Sequence, residues 1–136
     1  MELFGEHIVT IGALYNIVEI RIYKSIPTPI QWIAFIDNLK MAINNIKTRN
    51  IHFGFVIDIN KLGLISINYI KEYIKIIESE HVLFEDKLLC SCIINKNVFF
   101  IKKFMRIIYV YYKTKKEIIF IESNPEDIFS KKILEI

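Results

Sequence analysis

The chain is poor in the residues that bend, staple or mark a backbone. Only four glycines occur among 136 residues, at Gly5, Gly12, Gly54 and Gly63. Their spacing forms neither a phosphate-cradling loop nor a dinucleotide fingerprint, both of which need clustered glycines before a helix. Three prolines and the absence of repeats, low-complexity tracts or a polar linker argue for one domain over residues 1–136. The two cysteines, Cys90 and Cys92, are too few for a disulfide scaffold. Two positions apart on a strand they share a face and cannot readily bridge, so they read as small buried hydrophobes. No CxxC pair or histidine at ligand spacing accompanies them, and no metal or cofactor is expected.

Long apolar runs are also missing. Hydrophobic residues make up 53% of the chain and the mean hydropathy is +0.34. Yet the longest candidates, Val98–Tyr112 and Ile30–Ile46, are interrupted by Lys102, Lys103 and Arg106 and by Gln31, Asp37, Asn38 and Lys40. Neither reaches the roughly 18 apolar residues that a membrane span needs. Glu2 and Glu6 stand where a signal peptide carries positive charge, so a cytoplasmic location is expected. The formal charge is only +3. That ranks nucleic acid below protein partners, because polyanion binding rests on a large basic surface.

What the chain has in abundance is isoleucine, at 31 positions. With lysine and asparagine it gives the look of an AT-rich coding sequence, and it weakens isoleucine as a strand marker. A chain of this length buries roughly two-thirds of its unfolded surface, enough for a core without staples.

Periodicity gives the element order. His7–Leu14 and Ile17–Lys24 read as a strand pair joined at Tyr15-Asn16, the second strand alternating apolar and polar residues. Thr28 and Pro29 suit a helix start, and apolar residues recur from Trp32 to Ile46 at three- and four-residue spacing, giving a helix to about Lys47. Ile51–Ile59 is almost continuously apolar, as a strand covered on both faces is, and should lie centrally in the sheet. A helix over Ser66–Glu80, a buried strand over Leu88–Ile94, an aromatic-rich helix over Val98–Lys113 and a short strand over Ile118–Glu122 follow. Ser123-Asn124-Pro125-Glu126-Asp127 starts a last helix. The expected fold is α/β, order β-β-α-β-α-β-α-β-α. Its five-stranded sheet is mixed but mostly parallel, with an N-terminal hairpin and helices packed on the sheet.

The element order and the stretch Phe55-Val56-Ile57-Asp58-Ile59-Asn60-Lys61-Leu62-Gly63-Leu64-Ile65-Ser66-Ile67-Asn68-Tyr69-Ile70 resemble the STAS domains of anti-sigma-factor antagonists and sulfate transporters. Asp58 matches the acid at the strand end, Leu64-Ile65 the apolar pair, and Ser66 to Tyr69 the helix start. The family's phosphorylated serine falls at Ile67, which cannot take a phosphate, and Ser66 stands one position away. The resemblance implies a non-enzymatic, regulatory protein-interaction module. Asp58, Asn60, Ser66 and Asn68 would be its partner- or ligand-binding residues. Lipid-binding CRAL-TRIO domains share a similar strand-to-helix run. That alternative implies a small carrier holding a lipid or other hydrophobic ligand in a cavity between helices and sheet.

Each candidate also has a plainer role. An Asp at the carboxyl end of a central strand lies where open α/β sheets bind ligands, but it also caps loops. Ser66 is a natural helix cap. Ser66, His52 and Asp58 can be written as a triad, but no G-x-S-x-G elbow accompanies them, and no catalysis is expected. From Lys96 to Lys116 seven basic residues occur without an acid. Lys102, Arg106 and Lys113 fall on about one helical face with Lys103 beside it, a possible basic surface. Surplus apolar surface on that helix would favour a homodimer.

Overall fold

The computed structural model describes residues 2–94, 106, 116–121 and 125–136. The first strand, β1 (Gly5–Thr10), runs antiparallel to β2 (Asn16–Ile22). Then come helix α1 (Pro29–Arg49), β3 (Phe53–Asp58), α2 (Ile67–Ser79), α3 (His81–Lys87), β4 (Leu88–Ile94), β5 (Ile118–Ile121) and α4 (Glu126–Leu134). The five strands form one sheet in the order β1-β2-β3-β4-β5, and the pairings β2–β3, β3–β4 and β4–β5 are parallel. The sheet is therefore mixed, with β3 at its centre as the apolar run implied.

Two expectations need correction, and a third lies outside the described residues. The link between the first strands is Ile11–Tyr15 and not a Tyr15-Asn16 turn. Asn16 is drawn into β2 because its N–H donates to the His52 carbonyl at 2.9 Å, at the first step of the parallel pairing with β3. The β-β-α-β-α-β-α-β-α order also fails, because a second helix, α3, stands between α2 and β4. This short helix is held by Phe84, whose ring meets Phe53 and Phe55 edge-on at 5.3 Å each. Finally, the expected helix over Val98–Lys113 lies outside the described residues except for Arg106, which is helical and exposed.

Local chemistry explains the longest helix. Thr28 Oγ1 accepts from the Gln31 N–H at 3.2 Å, and Gln31 Oε1 accepts from the Thr28 N–H at 2.9 Å. This reciprocal capping box satisfies two orphan donors ahead of Pro29, whose missing N–H costs nothing there. Trp32, Phe35, Leu39, Ile43 and Ile46 then bury one face. The helix ends where Asn50 turns left-handed at φ 54°.

The sheet is covered on both faces. Phe53 and Phe55 of β3 face the main core with α1 and α3, while Val56 packs with Phe129 of α4, Cys90 and Cys92 on the other side. Gly54 makes that second layer possible. A Cβ there would lie 2.3 Å from the Phe129 ring, so only glycine lets α4 lie this close. Among the described residues no helix is long and apolar enough to cross a membrane.

Candidate functional site

The carboxyl ends of β2 and β3 lead into two loops, 23–28 and 59–66, which are tied together where the Gly63 N–H donates to the Ser25 carbonyl at 2.8 Å. The first turns of α1 and α2 rise from these loops side by side, with Trp32 stacked on Tyr69 at 4.6 Å and its Nε1–H donating to Glu72 at 2.6 Å. Parallel open sheets bring loops together at this end, and binding groups collect there.

The four residues expected to bind a partner all lie here, but as two local pairs. Asp58 Oδ1 accepts from the Asn60 N–H at 3.0 Å and from Asn60 Nδ2 at 2.9 Å, shaping the turn out of β3. Ser66 Oγ accepts from the Asn68 N–H at 3.2 Å and caps α2. Their polar atoms are used to hold the loop and to start the helix. The Ser66-His52-Asp58 triad is not assembled. His52 and Asp58 are six residues apart on one extended stretch, which separates them by roughly 20 Å at about 3.3 Å per residue. Of the basic candidates, Lys102, Lys103 and Lys113 lie outside the described residues.

Around this framework large apolar side chains face outward. Ile26 and Leu64 flank the hydrogen-bonded Ser25 and Gly63, and Ile30 and Ile33 stand one turn apart on α1. These four are 61–69% exposed, and Ile67 at the start of α2 is 48% exposed. Periodicity did not reveal them, because isoleucine fills core and surface alike in this chain.

Two internal features were also hidden in the sequence. One is a cavity of about 140 Å³ between the sheet and α2. Ile20, Phe55, Ile57, Ser91, Ile93 and Ile118 line its floor, and Ile70, Tyr73, Ile74 and Ile77 of α2 lie over them.

The other is a buried polar triplet beside that cavity. His7 of β1 is only 6% exposed. Asn38 Oδ1 accepts from both the His7 backbone N–H and its Nδ1, at 2.8 Å for the ring, and Nε2 lies 2.8 Å from the Tyr73 hydroxyl. A carbonyl oxygen only accepts, so the ring carries its proton on Nδ1 and Nε2 accepts from Tyr73. Burial lowers the imidazole pKa to about 4, against which the Asn38 bond acts weakly.

On the opposite face of the sheet Cys90 and Cys92 are free and buried. The hydrogen bond to Cys90 and burial push the Cys92 thiol well above its ordinary range, which keeps it protonated and inert. Among the described residues no group of three or more His, Cys, Asp or Glu is placed to hold a metal ion. No protein-family model matches the chain, and neither a curated protein nor a solved structure was found to match it.

Proposed function

We propose that this domain is a non-enzymatic interaction module that docks a protein partner through the end of the fold built by the 23–28 and 59–66 loops and the first turns of α1 and α2. The observation that carries this reading is the outward display of Ile26, Ile30, Ile33, Leu64 and Ile67 on a capped, hydrogen-bonded framework. Apolar side chains gathered at one end of a domain are characteristic of a contact surface, whereas isolated ones are ordinary. The STAS-like reading agrees with it. Asp58 shapes the loop and Ser66 caps α2, and the position that would match the family's phosphoserine is the apolar Ile67. A second copy of the chain is one partner that fits. Two free thiols suit a reducing compartment, in keeping with a cytoplasmic location.

The test is a paired substitution, Ile30→Ser with Leu64→Ser, followed by affinity purification from the native host and sedimentation of the pure protein. Loss of a stoichiometric partner or of self-association, with the circular dichroism unchanged, supports the proposal. Unaltered assembly overturns it.

A second reading, a carrier of a hydrophobic ligand, is favoured by one specific observation: the apolar cavity between sheet and α2.

A further inference from the structure

The solvent side of α1 continues the apolar display beyond the docking end. At 3.6 residues per turn, Ile30, Ile33, Asp37, Met41 and Asn44 fall on one stripe with Lys40 at its border, opposite the buried face of the helix. All six are exposed, and Met41, at 70%, stands as far out of the core as Ile30. The opposite face already seats α1 against the fold, so three large apolar side chains on this side add nothing to the core. The charges on the stripe indicate what covers it. Asp37 and Lys40 stand three residues apart, and neither makes an ion pair among the described residues. An acid and a base spaced in this way are complementary to their own image. A two-fold axis crossing α1 midway between them sets Asp37 against the partner's Lys40 and Lys40 against the partner's Asp37. In the same register Ile33 meets the partner's Asn44, with the partner's Met41 within a turn of it, and the contact repeats on the other side of the axis.

From this we propose that the chain pairs with a second copy of itself through α1, the two helices running antiparallel. Asp37 and Lys40 fix the register, and Ile30, Ile33 and Met41 supply the apolar contact. The proposal rests on the docking reading above, takes Ile30 and Ile33 from it and names the partner. A different protein would have to supply the matching pattern of charge and apolar surface, whereas a second copy carries it already. Exposed ion pairs add little to affinity, but they penalise a wrong register, because like charges then face each other. One helix stripe from each copy is a small contact, so the dimer is weak and governed by concentration.

Sedimentation equilibrium of the full chain, from micromolar to millimolar concentration, reads the pairing. The wild type passes from monomer to dimer across that range. Asp37→Lys sets lysines against the partner's lysines, and Lys40→Asp sets acids against acids. Each raises the dimer Kd at least about tenfold, with the circular dichroism unchanged. Mixing the two single variants restores assembly, since every lysine on one stripe then faces an aspartate on the other. An ion pair formed within one helix does not respond to mixing, so this result belongs to a contact between copies. Met41→Ser, which lies outside the docking end, also weakens the dimer and serves as the check should a charge variant fold poorly. A wild type that stays monomeric at millimolar concentration overturns the proposal. So does a dimer whose Kd is unmoved by the charge variants or by Met41→Ser, and so does a mixture no more associated than its components. Each of these leaves docking of a different protein standing, which the purification with Ile30→Ser and Leu64→Ser reads separately.

Discussion

Acidification should destabilise this protein below pH 6.5, and His7 is the buried group that dominates the loss. His7 is neutral in the fold, with a pKa of about 4, against 6.5 for the ordinary imidazole that it becomes when the chain unfolds. Between those values the unfolded chain binds a proton that the folded chain does not, so stability rises with pH across the window and is lost as pH falls through it. Each pH unit removes about 1.4 kcal/mol, and the loss reaches about 3 kcal/mol near pH 4, below which both states are protonated and the loss stops growing. That is a large fraction of the 5–15 kcal/mol typical of a domain. The assay is urea unfolding at half-unit steps from pH 7.5 to pH 4, for the wild type and for His7→Gln. His52, whose pKa is also lowered by burial, acts on both proteins, and their difference isolates His7. The stability gap between the two proteins should narrow steadily below pH 6.5. A gap that stays constant from pH 6.5 to pH 4.5 refutes the reasoning, as does a nitrogen-15 spectrum showing the His7 ring protonated at pH 5.5.

Further expectations concern the framework. Asn38→Ala leaves the His7 backbone N–H and Nδ1–H buried without an acceptor and should cost about 2 kcal/mol in chemical denaturation. Thr28→Ala removes the cap of α1 and should cost about 1 kcal/mol, while Thr28→Ser should restore most of it. Gly54→Ala drives a methyl into Phe129 and should destabilise by about 1–3 kcal/mol, with partial rescue by Phe129→Leu in the double variant. Equal stability of Gly54→Ala and wild type would show that α4 does not pack against β3 as described.

The readable parts of the fold were those with strong local chemistry. Pro29 behind Thr28 announced α1, and the unbroken apolar run through Phe55 announced a central strand, because only a doubly covered strand tolerates such a run. Gly54 in that run leaves room for close helix packing, which Phe129 supplies. Helix α3 was not readable. His81 to Lys87 makes two turns, too short for a periodic signal, and it is held by Phe84 against Phe53 and Phe55, contacts between residues about thirty positions apart. The strand link was misplaced because Asn16, polar and turn-like by type, is taken into β2 by pairing with Phe53.

At the candidate site the strand end and the helix start were legible as structure, and the hydrogen-bond roles within them only partly so. Asp58 ends β3 and Ser66 precedes α2, and their oxygens serve Asn60 of the following turn and Asn68 of the first turn of α2. The outward Ile30, Ile33 and Leu64 were masked by a composition in which isoleucine marks neither core nor strand. The cavity arises only when the sheet meets α2, and the His7–Asn38–Tyr73 triplet only when β1, α1 and α2 meet, and no local pattern encodes either meeting.

The docking end of the fold can be probed most directly by a photo-crosslinking amino acid placed singly at Leu64, at Ile33 and, as a control, at the exposed Glu135 beyond α4. Irradiation in the native host should give the same discrete adduct from positions 64 and 33 and none from 135, with a mass of twice the chain if the partner is a second copy. Adducts of equal yield from all three positions, or none from 64 and 33, would contradict docking through this surface.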